Sequence, residues 1–130
     1  MGDKNEMIEL SLPANAAYVS AARLTASSIA NRLGFDIDET EDVKAAVSEA
    51  CAMLIKLSPA GIVKHFKIIF SPGVKSLTVR IRAGHGIDLT PDEGEMSLIM
   101  IRALMDTVEI SQSSGCAELC MFKRHQGLFL

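Results

Sequence analysis

The chain has 130 residues, 48% of them apolar, with 13 basic against 16 acidic side chains and a net charge of −3; that is enough for one packed core, and the composition is not that of a disordered chain. The acidic balance, a single short basic cluster at Lys123-Arg124-His125 and an aromatic content of 5% with no Trp argue against a nucleic-acid binder, which needs a basic stripe or a stacking platform. No run approaches the length of uncharged apolar residues that spans a bilayer, and the polar start Met1–Leu12 has no leader-like apolar stretch, so a cytoplasmic protein is expected.

Met7, Ile8, Leu10 and Leu12 lie in a nearly alternating stretch that predicts a strand over 6–12, ended by Pro13. Val19, Ala22, Ala26, Ile29 and Leu33 then recur every three or four residues, the stripe of an amphipathic helix over 15–33 with Gly34 as its left-handed cap. Asp38 to Asp42 place acids at the start of a second helix, where they favour the positive end of its dipole. Its stripe is Val43, Val47, Ala50 and Leu54, and Ser58-Pro59-Ala60-Gly61 is expected to stop it. Two period-two runs follow, 63–70 and 77–82, joined by a turn at Ser71-Pro72-Gly73. In the second run Leu77, Val79 and Ile81 face in, while Arg80 and Arg82 face out.

Residues 84–94 read as a polar loop. A helix over 96–105 is apolar almost all round and is expected to be largely buried. Strands over 108–111 and 117–123 flank a turn at Ser113-Ser114-Gly115. The three cysteines, Cys51, Cys116 and Cys120, are odd in number and have no second pair or histidine at ligand spacing. They read as buried small hydrophobes rather than a disulfide or a metal site. The order β-α-α-β-β-α-β-β, with no repeat or linker, predicts a single domain over 1–130. Its architecture is a two-layer α/β sandwich with a mixed sheet covered on one face by helices.

Four strings in this order resemble the anti-sigma factor serine/threonine kinases of the GHKL, or histidine kinase-like ATPase, superfamily. They are Tyr18–Thr25, Glu41–Cys51, Ile101–Glu109, and Ser114-Gly115 followed by a strand ending in Phe122-Lys123-Arg124. The resemblance implies that Glu49 is the position of the family's general base. It also implies that Arg23, with Tyr18, Ser20 and Asn15 around it, belongs to a surface that meets protein partners. Those partners are a sigma factor or a STAS-domain antagonist, in a switch run by a homodimer.

The departures from the family pattern fall on its nucleotide site. Met53 stands where the family has the Asn that holds Mg²⁺, and a thioether is a poor ligand for a hard cation. Leu57 stands where a His is often found. Gly84 and Gly86 remain from the adenine motif, but its Asp aligns with Arg82, or with Ala83 if strand parity decides, and neither supplies a carboxylate. The lid's Gly-Leu-Gly-Leu is Glu95-Met96-Ser97-Leu98, so both glycines that admit phosphates are gone and Glu95 adds a negative charge. The expectation is a regulatory binding protein with no nucleotide cofactor and no metal, its old site filled by Met53, Leu57 and the lid helix. The alternative is an active kinase that uses ATP with Mg²⁺ to phosphorylate an anti-anti-sigma factor; a third is a structural subunit of a signalling complex. Gly84-His85-Gly86 reads as a strand-exit turn, His65 and His125 belong to no ligand set, and the apolar end 127–130 is either a docking tail or packed on its own domain.

Overall fold

A computed structural model describes residues 6–57, 65–84, 95–113 and 115–127. The expected stop at 58–61, most of the loop at 84–94, His85, Gly86, Ser114 and the final 128–130 lie outside the described residues. Strand β1 (Ile8–Pro13) leads through a single 3₁₀ turn (Ala16–Tyr18) into helix α1 (Val19–Arg32) and then helix α2 (Ile37–Leu57). The chain continues through β2 (His65–Gly73), β3 (Ser76–Ala83), helix α3 (Met96–Leu104), β4 (Thr107–Ser113) and β5 (Cys116–Arg124).

Local chemistry sets the helix boundaries. Gly34 ends α1 at φ +85, a conformation that costs glycine nothing. Its N–H donates to Asn31 O and the N–H of Phe35 to Ala30 O, both at 3.1 Å, which closes a Schellman cap. Two residues on, α2 opens with a capping box. The N–H of Glu39 donates to Asp36 Oδ1 at 2.8 Å, and the N–H of Asp36 donates back to Glu39 Oε1 at 3.0 Å.

The sheet order is β1-β2-β3-β5-β4 with every neighbouring pair antiparallel, which corrects the expectation of a mixed sheet. The crossover through α3 does make β3 and β4 run the same way. Strand β5 lies between them, however, and is antiparallel to both, so no parallel pair forms. The turn at Ser71-Pro72-Gly73 is also corrected: these residues extend β2, and the chain turns at Val74-Lys75, with Lys75 at φ 53. Pro72 is tolerated there because β1 pairs with β2 only as far as Ile8↔Phe70, leaving that side of Pro72 without a ladder bond to lose.

One face of the sheet presents Leu12, Phe66, Ile68, Phe70, Val79, Ile81, Leu119 and Met121 to the helices, and the expected stripes of α1 and α2 pack against it. The other face carries polar and charged side chains, including Lys67, Arg80, Arg82 and Glu118. Cys116 and Cys120 stand on that open face, exposed and half-buried, so only Cys51 is the buried hydrophobe expected of all three. Burial pushes its thiol up to about 12, which keeps it protonated and inert.

Helix α3 departs most from expectation. Leu98 and Ile101 are buried, but Met96 is 66% exposed and Ile99 and Met100 are 48% and 40% exposed. An apolar helix is buried all round only when neighbours surround it, and α3 packs chiefly along one side, on α2. No described helix is long and apolar enough to cross a membrane.

Candidate functional site

Glu49, Met53 and Leu57 fall at i, i+4 and i+8 on α2 and so share one face of the helix. Met53 is fully buried, Leu57 is half-buried against the core, and Glu49 is half-buried at the junction with α3. Across that junction the Ser97 hydroxyl donates to Glu49 Oε1 at 3.0 Å. One α2 turn beyond Met53, Lys56 Nζ lies 3.3 Å from Glu95 Oε2. Glu95 is the residue at which α3 starts, and its carboxylate makes no side-chain cap bond. It sits near the positive end of the helix dipole, which favours its charge.

Of the two alignments for the adenine-binding Asp, the structure places Ala83 on the helix side of β3, buried against Phe66 of β2. Arg82 points the other way. Its Nε donates to Glu118 Oε1 at 2.5 Å on the open face of the sheet, and Arg80 shares the same carboxylate at 4.0 Å. That hydrogen bond holds the Arg82 guanidinium even higher than its ordinary pKa. Arg82 is therefore removed from the candidate site: residues 82 and 83 project to opposite faces of the strand, and the alanine faces the helix layer. Gly84 is exposed, and among the described residues a Cβ added to it would meet nothing within 4 Å. Gly86 lies outside the described residues.

The residues brought together are thus Glu49, Met53, Glu95 and Ser97, with Lys56 as a member that sequence reasoning missed. The signal was available, since Lys56 is seven residues from Glu49 and two helical turns restore the same face. Among the described residues this set offers the carboxylates of Glu49, engaged by Ser97, and Glu95, engaged by Lys56, and at position 53 a thioether, which is a poor ligand for a hard cation such as Mg²⁺. Among the described residues no group of three His, Cys, Asp or Glu side chains is placed to hold a metal ion.

The second candidate surface lies at the start of α1. Tyr18, Ser20 and Arg23 are all exposed, as is Leu24, an apolar neighbour at 68% exposure that sequence reasoning did not single out. Asn15 acts locally instead. Its side-chain oxygen accepts the N–H of Ala17 at 2.9 Å and caps the 3₁₀ turn.

Residues 12–123 match the histidine kinase-like ATPase domain. The chain belongs to that family. Among its relatives, the serine-protein kinase RsbW of Bacillus mycoides (strain KBAB4) is 31% identical, the alignment covering 92% of this chain and 86% of the relative. RsbW of Bacillus thuringiensis (strain Al Hakam) is 30% identical over the same shares. The solved structure of the RsbU and RsbW domains of Rv1364c from Mycobacterium tuberculosis aligns with a TM-score of 0.67 at 16% identity, a likeness of fold. This histidine kinase-like domain accounts for 92% of its own chain in that alignment and about a third (32%) of the larger one. The two-layer architecture, with the helices on one sheet face, is the family's.

Proposed function

We propose that this histidine kinase-like domain is a regulator of the anti-sigma-factor type that works by reversible association rather than phosphoryl transfer. In this reading a homodimer holds a sigma factor until a STAS-domain antagonist displaces it, and the choice of partner is a difference of affinities. The observation that carries it is the full burial of Met53 on the helix face it shares with Glu49. Phosphoryl transfer depends almost wholly on metal and phosphate positioning, and a buried thioether at position 53 gives a hard cation no oxygen ligand. The exposed Tyr18, Ser20 and Arg23 supply a surface for a protein partner, with arginine and tyrosine among the residue types that dominate interface energy.

A second reading is favoured by two observations, the serine-protein kinase relatives at 30–31% identity and the glutamate at position 49. In that reading Glu49 is the base that takes the proton of a target serine.

Calorimetric titration with ATP and ADP, with and without Mg²⁺, separates the two. Association alone predicts no heat and no thermal stabilisation at millimolar nucleotide. Micromolar, Mg-dependent binding puts the kinase reading first. On the partner side, Arg23→Glu is expected to weaken capture of a sigma factor or a STAS-domain protein at least about tenfold, given the energies typical of interface arginines. Its melting temperature should stay unchanged; undiminished capture removes α1 from the interface.

A further inference from the structure

Helix α3 has nine residues, too few to persist without tertiary support. It buries only Leu98 and Ile101 and leaves Met96, Ile99 and Met100 facing solvent, so apolar packing secures one narrow side of it. Its C-terminal end is tied to the sheet, where Lys123 Nζ donates to the carbonyl of Leu104 at 2.8 Å. At its N-terminal end, the side-chain ties the structure gives are Ser97 to Glu49 at 3.0 Å and Glu95 to Lys56 at 3.3 Å. Both reach α2, and they flank the level of Met53.

We infer that Ser97 and Glu49 form an internal latch that keeps α3 docked on α2 with no nucleotide present, so that Glu49 serves as the acceptor of the latch and not as a free base. The inference rests on the association-only reading of the site. Magnitudes rank the two ties. The Ser97–Glu49 bond has a charged acceptor and is half-buried, and such bonds are among the stronger ones. Lys56 is 68% exposed, so its ion pair with Glu95 is screened by solvent and contributes little. Ser97 is then a positioning residue that acts through Glu49, and α3 presents its outer face in a fixed pose.

Hydrogen exchange of the full chain, read on the α3 amides at neutral pH without nucleotide, tests this. Ser97→Ala is expected to speed α3 exchange about tenfold, while the β3 and β5 amides keep their parent rates. Lys56→Gln should change it less than about twofold. Ser97→Thr and Glu49→Gln keep a donor and an acceptor and should retain protection. Glu49→Ala should match Ser97→Ala, and the double variant should be no faster than either single one, because one bond can be lost only once. Parent-like α3 exchange in Ser97→Ala, or additive effects in the double variant, overturns the latch. A parallel arm adds millimolar ATP with Mg²⁺ to the parent. Slower α3 exchange there sinks the association-only reading alone, since the latch is decided by the nucleotide-free comparison.

Discussion

Glu39, in the first turn of α2, ties the segment after β5 to the junction between α1 and α2. Its carboxylate accepts the N–H of Asp36 at 3.0 Å, the ring Nδ1 of His125 at 2.5 Å and the N–H of Gln126 at 2.7 Å, while the His125 ring stacks on Phe35. Burial pushes its carboxyl up, but the N–H groups of Gln126 and Asp36 and the ring of His125 outweigh that and hold it below its ordinary value of 4.5. A depressed folded-state value means that the stabilisation is complete above about pH 4.5 and is lost as the pH falls through the lower folded value. Thermal melts between pH 6 and pH 3 should therefore show an acid-side loss that Glu39→Gln flattens. At neutral pH, Glu39→Ala should cost about 1–2 kcal/mol by urea denaturation, the cost of leaving several part-buried donors without their acceptor. Met53 gives the converse case. Met53→Asn restores the family's oxygen at a fully buried position without a partner, so it should destabilise by about 1–3 kcal/mol and confer no ATP binding by itself. A gain of Mg-dependent nucleotide heat in that variant would show that residue 53 alone closed the site.

At the scale of elements, α1 and α2 behave as their sequence stripes dictate, because a stripe of about a hundred degrees against a sheet buries what it presents. Helix α3 does not, and its two sides make opposite predictions. Ile101→Ala removes a fully buried side chain and should cost about 2–4 kcal/mol. Ile99→Lys replaces one that already faces water and should stay within about 0.5 kcal/mol of the parent in the same denaturation experiment. Equal, large losses would mean that α3 is covered on both sides in solution. The strand β2 carries a related lesson. Ser71-Pro72-Gly73 has the composition of a turn, yet it extends a ladder, because the neighbouring strand stops where the proline begins.

At the scale of the whole molecule, the two-layer order was legible from periodicity alone, because buried stripes and alternating strands leave few ways to cover a hydrophobic face. The family was legible from four short strings, and so were the positions of Glu49, Met53 and Ser97 along the chain. What the chain's order did not contain was distance. That Ser97 reaches Glu49 depends on the angle at which α3 lies on α2, and that Arg82 meets Glu118 depends on the register of β3 against β5. The antiparallel sheet depends on β5 inserting between β3 and β4, and the bond from His125 to Glu39 joins residues 86 apart in the chain. The sequence by itself determined which faces are apolar and which residue types share the face of Glu49 on its helix, since those are properties of residue types at fixed local spacings. Only the tertiary structure decided which polar groups meet across those spacings, because such contacts are selected by the packing of whole elements and leave no periodic mark along the chain.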